Sequence, residues 1–527
     1  MENKYIELKL LDFNYYDIID EDNYNKFKDS KKFVVQMFGL NEKRETFSLI
    51  IDDFKPYFYV EVGDDWKHSD KNIFISHFRS KLGNYYENSI VDVRFIERKK
   101  LYTFDNGKYY KFILIKFANN AAFNKAKNLW YITGKNEDGE YSRKLKVNGY
   151  EYSCGGKIYN LKIYEAQIPP LLRLFHKNNL SPSGWIKFAL NKARIIQPKT
   201  TFCNFEYKVS YKCLESLSEK NTLVPYKILS FDIEASSTHG DFPIPIKNYK
   251  KLADDLLQFN NFTKDNFDEE TLFRAINTAF GFDNLKNINK VYTKTKVTKT
   301  QIKELINIWL NMSISDIKKL KPNNSNYEED NDDPEEEESD DEEFDGVNNN
   351  DNNNGYLEIE AKFIPKKQIK EYKSKTKKDD LLKIIDILND NVAEYKSKLK
   401  VLIKSFYIFP QLEGDKCTFI GYTFRNYGQK EPYLKYCGVL NGCVIEKNND
   451  NIKIKTFEKE SDLLLDFTTM INKEDPDIVV GYNITGFDYE FMYKRAMEVD
   501  CLNKFIKMSR NKDEECFQKK YDWKKKE

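Results

Sequence analysis

The sequence predicts an α/β and α+β multidomain protein, and three observations predict it. The length of 527 residues suggests three or four domains. Short runs rich in Val, Ile, Phe and Tyr alternate with amphipathic runs of three-to-four spacing, over residues 1–135 and again past 400. Between them lies a long segment of different composition, in which residues 328–345, EEDNDDPEEEESDDEEFD, hold 14 acids and no Lys or Arg.

Hydrophobic residues make up 40% of the chain and aromatic ones 15%, enough for sizeable cores. No apolar run approaches the ~18 residues of a membrane span, and the opening MENKYIELKLLDFNYYD lacks a signal-peptide pattern. The expectation is a soluble, intracellular protein with no membrane partner. Eight scattered cysteines form no C-x-x-C pair, which argues for reduced thiols and against a zinc site. The net charge is +1, and removing the 14 negative charges of the acidic run leaves +15. A basic body with one acidic tether suits a nucleic-acid partner, and equally a lysine-rich solvated surface.

Residues 1–225 read as a mixed strand/helix domain. KKFVVQMFGL, TFSLIID, PYFYVEV and YYKFILIKF are strands, the first two joined by the polar turn NEKRE. NAAFNKAKNLW is a helix. IPPLLRLFHKNNLSPSGWI holds a second helix, begun after two prolines and ended before a Pro-Ser-Gly turn in which Trp185 packs and Gly184 turns. Residues 226–234 form a new strand. An insertion over 247–399 follows, with helices at KTQIKELINIWLNM and over 379–404, the latter capped by Asp379 or Asp380. Residues 322–356 of it read as disordered. SFYIFPQ, CTFIGYTF, YLKYCGVL and NIKIKTF then read as a strand meander. A helix bearing Leu463, Leu464, Phe467 and Ile471 comes next, then a buried strand, PDIVVGYN, and a helix, DYEFMYKRAM.

Two places carry candidate chemistry. In KILSFDIEASSTHGDFP the apolar strand ends in Asp232 and Glu234. Two residues apart on a strand, they share a face roughly 6.6–6.8 Å apart, while Phe231 and Ile233 point into a core. Converging carboxylates repel unless a cation neutralises them, and hard divalent ions prefer oxygen ligands. Solvated acids at a strand end are the competing reading. In GYNITGFDYEF, Gly486 permits a tight turn and Asp488 opens a helix, where helix capping is the competing reading. Both sites end strands of one α/β unit with a meander and a helix between them. That order fits a mixed sheet of the ribonuclease H type, in which carboxylates can hold two metals about 3.5–4 Å apart for in-line phosphodiester displacement. His176 and His239 read as loop or hydrogen-bonded residues, with a phosphate contact open for His239.

These residues resemble a known family. FDIEASSTHGDFP is similar to the first exonuclease motif, D-x-E, of family B DNA polymerases, and VVGYNITGFDYEF to the second, N-x-x-x-F-D. YEAQIPPLLRLFHKNNLSPSGWI and DFKPYFYVEV resemble segments preceding that domain in delta-type replicative enzymes. S-S-T-H-G-D-F-P and the insertion look most like versions from large eukaryotic DNA viruses. The resemblance implies a ribonuclease H-like 3′→5′ exonuclease domain over 226–246 and 400–527, interrupted by the insertion. It implies Asp232, Glu234 and Asp488 as ligands of two Mg²⁺ or Mn²⁺ ions, with Asn483 and Phe487 positioning the 3′-terminal nucleotide. The N-terminal domain would contact template, where Tyr57, Phe58 and Tyr59 could stack on single-stranded bases. DNA, a C-terminal polymerase part and a sliding clamp are the implied partners, in a nucleus or viral replication compartment.

The departures are equally specific. The family's third exonuclease motif is Y-x-x-x-D, but Ala496, Ser509 and Gln518 precede Asp500, Asp513 and Asp522 by four residues. The polymerase motifs S-L-Y-P and Y-G-D-T-D are absent. The expectation is an N-terminal portion that cannot extend DNA alone and trims it poorly. A free-standing 3′→5′ nuclease and a non-catalytic DNA-binding or assembly module are the alternatives.

Overall fold

A computed structural model describes residues 4–20, 31–101, 106–135, 141–237, 240–263, 267–321, 382–390, 392–444, 451–512 and 514–516. The chain divides into two compact units, residues 1–234 with 417–527 and residues 235–416. The expected disordered stretch 322–356, the caps Asp379 and Asp380, and His239 lie outside the described residues.

The first unit is built on three principal sheets. A seven-stranded sheet centres on Tyr5–Ile19, Lys31–Leu40 and Thr46–Ile51. In a four-stranded sheet, Tyr57–Glu61 and Tyr109–Phe117 run antiparallel at the centre, flanked by Ile163–Tyr164 and Ile90–Lys99. Alternation sends Phe58, Val60, Ile113 and Ile115 into one core with Phe74 and Phe78 of the helix His68–Leu82 and Phe123 of the helix Asn120–Lys127. Phe58 is therefore core and offers no stacking face. Tyr57 and Tyr59 lie on the other face, with the Arg173 guanidinium 4.3 Å and 5.9 Å from their rings. The Pro-Ser-Gly turn is structural, as expected: Trp185 is buried and the Gly184 N–H donates to the Ser181 carbonyl at 3.0 Å.

The third sheet has five strands in the order Lys453–Phe457, Leu434–Leu440, Lys416–Asn426, Lys227–Ser236 and Ile478–Val480. Phe231 packs on Phe467 of the helix Glu460–Glu474 and on Tyr489 of the helix Asp488–Glu498, with ring centroids 5.0 and 5.1 Å apart. This is a mixed sheet of the expected class, with two differences. Lys453–Phe457 runs parallel to Leu434–Leu440, not antiparallel as in a meander, because the twelve intervening residues are enough for a crossover. The strand expected to be buried is a three-residue edge strand. Ile478, Val479 and Val480 are 37, 37 and 42% exposed, since only Lys227–Ser236 pairs with them in the sheet order.

The second unit is helical, packed around Leu252, Leu256, Ile276, Ile302, Trp309, Leu402 and Phe406. The helix expected from KTQIKELINIWLNM is Lys299–Asn311, capped by Thr298 and Gln301. The single helix expected over 379–404 is instead two, Ile384–Asn389 and Tyr395–Ser405. Asp390 breaks it: its Oδ1 accepts the N–H groups of Val392 and Ala393, a local turn that competes with the helix. SFYIFPQ is no strand; Ser405 ends a helix and Phe406–Ile408 forms a 3-10 turn, because Phe406 and Phe409 must both reach the helical core.

Candidate metal centre

The carboxylate strand Lys227–Ser236 and the edge strand Ile478–Val480 run parallel, pairing Ile228 with Ile478 and Ser230 with Val480. Asp477 sets this register: its Oδ2 accepts the Lys227 N–H at 2.7 Å and its own N–H donates to the Lys227 carbonyl at 2.8 Å. The carboxyl ends of both strands therefore open on one side, where ligands of open α/β sheets gather.

Phe231 and Ile233 are buried, and Asp232 and Glu234 between and beyond them are exposed on the opposite face. The edge strand passes into a tight turn. A Cβ on Gly481 would lie 2.2 Å from Ile484 Cγ2 and 2.9 Å from the Phe231 carbonyl oxygen. The turn therefore seats directly on the carboxylate strand. Asn483, exposed, takes a left-handed φ of 50°, and its carbonyl accepts the N–H groups of Gly486 and Phe487 at 3.0 Å. Phe487 precedes the helix, half-buried, its ring centroid 5.4 Å from that of Phe491. Asp488 is the first helical residue and points inward, only 2% exposed.

Asp488 and Asp232 meet. Burial first, then the negative charge of Asp232, holds the Asp488 carboxyl above the usual carboxylate range, although the N–H groups of Asp488 and Ile233 pull it back. Asp488 Oδ1 is buried without any hydrogen-bond partner. An orphaned carboxylate oxygen beside a second carboxylate is a deficit that a hard cation fills, so the donor set suits an oxygen-seeking divalent ion. Glu234 shares Asp232's face, and its carbonyl accepts the Thr418 hydroxyl at 3.0 Å. Among the described residues no three His, Cys, Asp or Glu side chains form a group able to hold a metal. The structure thus brings together two of the three expected carboxylates.

Sequence reasoning missed a buried ion pair two turns along the helix from Asp488. Arg495, 1% exposed, donates through Nε to Glu460 Oε1 at 2.9 Å and through a second N–H to Oε2 at 2.5 Å. Glu460 Oε1 also accepts the buried Cys417 N–H at 2.9 Å. The available signal was an arginine on the same buried stripe as Asp488, Phe491 and Met492.

The profile described as "DNA polymerase family B, exonuclease domain" matches residues 161–317 and 348–525. A DNA polymerase of Phaeocystis pouchetii virus is 43% identical over 98% of this chain and 49% of its own length. A DNA polymerase of Pyramimonas orientalis virus is 25% identical over 95% of this chain and 36% of its own. The DNA polymerase delta catalytic subunit of Dictyostelium discoideum is 22% identical over 47% of this chain and 21% of its own. The chain thus spans about half, or less, of the curated relatives it matches. A solved family B DNA polymerase from Pyrobaculum calidifontis aligns with 94% of this chain and 33% of its own, with a TM-score of 0.38 and 12% identity, a loose likeness. With nearly two thirds of its residues inside the matched profile, the chain belongs to DNA polymerase family B and carries that family's exonuclease domain.

Proposed function

We propose that this chain is the N-terminal and proofreading portion of a replicative DNA-directed DNA polymerase, removing mismatched nucleotides in the 3′→5′ direction. Residues 1–225 serve as the N-terminal domain, 226–246 with 400–527 as the exonuclease domain and 247–399 as its insertion. The observation that carries this reading is the meeting of Asp232 with a buried Asp488 whose Oδ1 has no partner. Asp232, Glu234 and Asp488 would hold Mg²⁺ or Mn²⁺, and such ions supply an activated water and charge neutralisation at the scissile phosphodiester. Asn483, exposed on the turn, and Phe487, at its end, would orient the terminal nucleotide.

A C-terminal polymerase part completes the enzyme in this reading. The greater length of the relatives and the bare apolar edge at Ile478, Val479, Val480 and the 95%-exposed Tyr482 support it. DNA is the substrate and partner, a sliding clamp a further partner, and the nucleus or a viral replication compartment the place of action. No helix among the described residues is long and apolar enough to cross a membrane.

The purified chain, titrated with Mn²⁺ and followed by its paramagnetic resonance, should bind the ion, and Asp232→Asn or Asp488→Asn should weaken binding at least about tenfold, the lower range for losing even an outer-shell partner. The same sample should trim 3′-labelled single-stranded DNA slowly and should not extend a primer. Binding indifferent to both substitutions would sink the metal centre, and primer extension would sink the division of labour.

A further inference from the structure

Asp488 needs something to hold it in place. It opens the helix Asp488–Glu498, is 2% exposed, and its Oδ1 has no hydrogen-bond partner, so that oxygen ties the start of the helix to nothing. The restraint sits two turns further along. Asp488, Phe491, Met492 and Arg495 form one buried stripe of the helix Asp488–Glu498, and at its end Arg495 closes its two-pronged contact on Glu460. Glu460 is the first residue of the neighbouring helix Glu460–Glu474. Through Oε1 it is also fixed to the backbone of Cys417, in the strand next to the carboxylate strand. One residue on, Thr418 bonds the Glu234 carbonyl. Fixed bonds thus run from Arg495 through Glu460 to the backbone that carries Asp232 and Glu234.

A buried ion pair is poor evidence for stability, because a well-packed apolar pair often serves as well. What a bidentate guanidinium–carboxylate contact adds is direction: two parallel hydrogen bonds fix rotation and translation together. A helix free to turn by one residue would move Asp488 about 100° off its stripe, and a slip of one residue would carry it about 1.5 Å. We propose that Arg495 and Glu460 are the positioning pair of the metal centre, setting the rotation and axial level of the helix so that Asp488 stays opposite Asp232. This rests on the reading of those two aspartates as metal ligands. Arg495 touches neither metal nor DNA; it acts through Asp488.

The test uses the full chain and Mn²⁺ as the probe. Arg495→Lys keeps the charge and removes the second prong. Arg495→Met with Glu460→Leu removes the pair and leaves apolar volume behind. Both are expected to retain the wild-type circular dichroism spectrum; Arg495→Lys should melt within a few degrees of wild type, and the double variant lower, because Glu460→Leu also orphans the buried Cys417 N–H. Mn²⁺ affinity should fall about tenfold in Arg495→Lys and further in the double variant. Adding Asp232→Asn to the double variant should cost less than it costs in the wild type, because the two aspartates no longer act together. A merely structural pair would lower the melting temperature and leave Mn²⁺ affinity unchanged; that result, or wild-type affinity in a folded Arg495→Lys, overturns the proposal. If wild-type binding is itself indifferent to Asp232→Asn, the metal reading fails first and takes the positioning role with it, a different and recognisable outcome.

Discussion

His77 shows how one residue's surroundings set a measurable property. It lies on the helix His68–Leu82 with Nε2 2.8 Å from the Tyr150 hydroxyl and the Tyr152 ring centroid 5.1 Å from its own. Burial, then the charge of Lys81, lowers its pKa below the usual 6.5. Burial also raises the Tyr150 hydroxyl, which stays protonated and shares a hydrogen bond with the neutral imidazole in either tautomer. As pH falls through about 6.5 the unfolded chain therefore takes up a proton before the folded chain does, and folded stability drops. The melting temperature should hold from pH 8 to 7 and decline toward 5.5, and His77→Gln should flatten part of that decline. Identical acid limbs in the two proteins would show that His77 titrates alike folded and unfolded. The same sign holds for Glu474 in a lower pH window, because its pKa is also lowered in the folded state. Burial raises it, but hydrogen bonds from Tyr433 and Lys227 win and hold it below the usual range, so its contribution disappears only as pH falls below the ordinary carboxylate value.

Among elements, the turn from Gly481 to Phe487 matters most, because it decides where Asp488 begins. Gly481 is required by space: any Cβ there meets Ile484 and the Phe231 carbonyl. Gly481→Ala should push the turn off the carboxylate strand, cost about 1–3 kcal/mol by overpacking, and weaken Mn²⁺ binding; unchanged stability and binding would show that the turn can move without disturbing the centre. Much at this scale was legible. Lys31–Leu40, Thr46–Ile51 and Tyr109–Phe117 read as strands because apolar runs end in turn residues. Asp232 and Asp488 stood out as acids at the ends of apolar runs. Other elements were hidden for identifiable reasons. Tyr5–Ile19 is one long strand, but a bulge between Leu10 and Asp12 shifts its alternation midway. Ile90–Lys99 is rich in charge because it is a sheet edge. That Asp488 would be buried against Asp232, with Glu234 left outside, depends on packing that no spacing encodes. Glu460 and Arg495, 35 residues apart, carry no local pattern that pairs them.

For the first unit as a whole, the seven-stranded and five-stranded sheets are joined near the end of the described chain. Arg510 donates through Nε to Asp475 Oδ1 at 2.7 Å, and through a second nitrogen to Asp477 Oδ1 at 2.9 Å and the Pro476 carbonyl at 3.0 Å. Its own carbonyl accepts the Phe202 N–H at 3.0 Å, the Lys512 N–H donates to the Thr200 carbonyl at 2.9 Å, and Gln36 donates to Asn511 at 2.9 Å. Asp477, whose side chain has no exposed surface, is shared between Arg510, Arg44 and the Lys227 N–H. Residues 510–512 thus bond the N-terminal sheet region to the acid that sets the register of the metal-centre strands. Removing one cation from a fully buried carboxylate leaves uncompensated charge, so Arg510→Met should destabilise this unit by about 3–5 kcal/mol, read as a lower midpoint in urea unfolding followed by circular dichroism. Asp477→Asn in the same background should recover part of the loss, since the buried charge is then gone, while the Lys227 register bond can still be made by the amide oxygen. A loss under about 1 kcal/mol, the range of an exposed pair, would mean that Arg44 and backbone bonds satisfy Asp477 alone and that the two sheets are joined elsewhere.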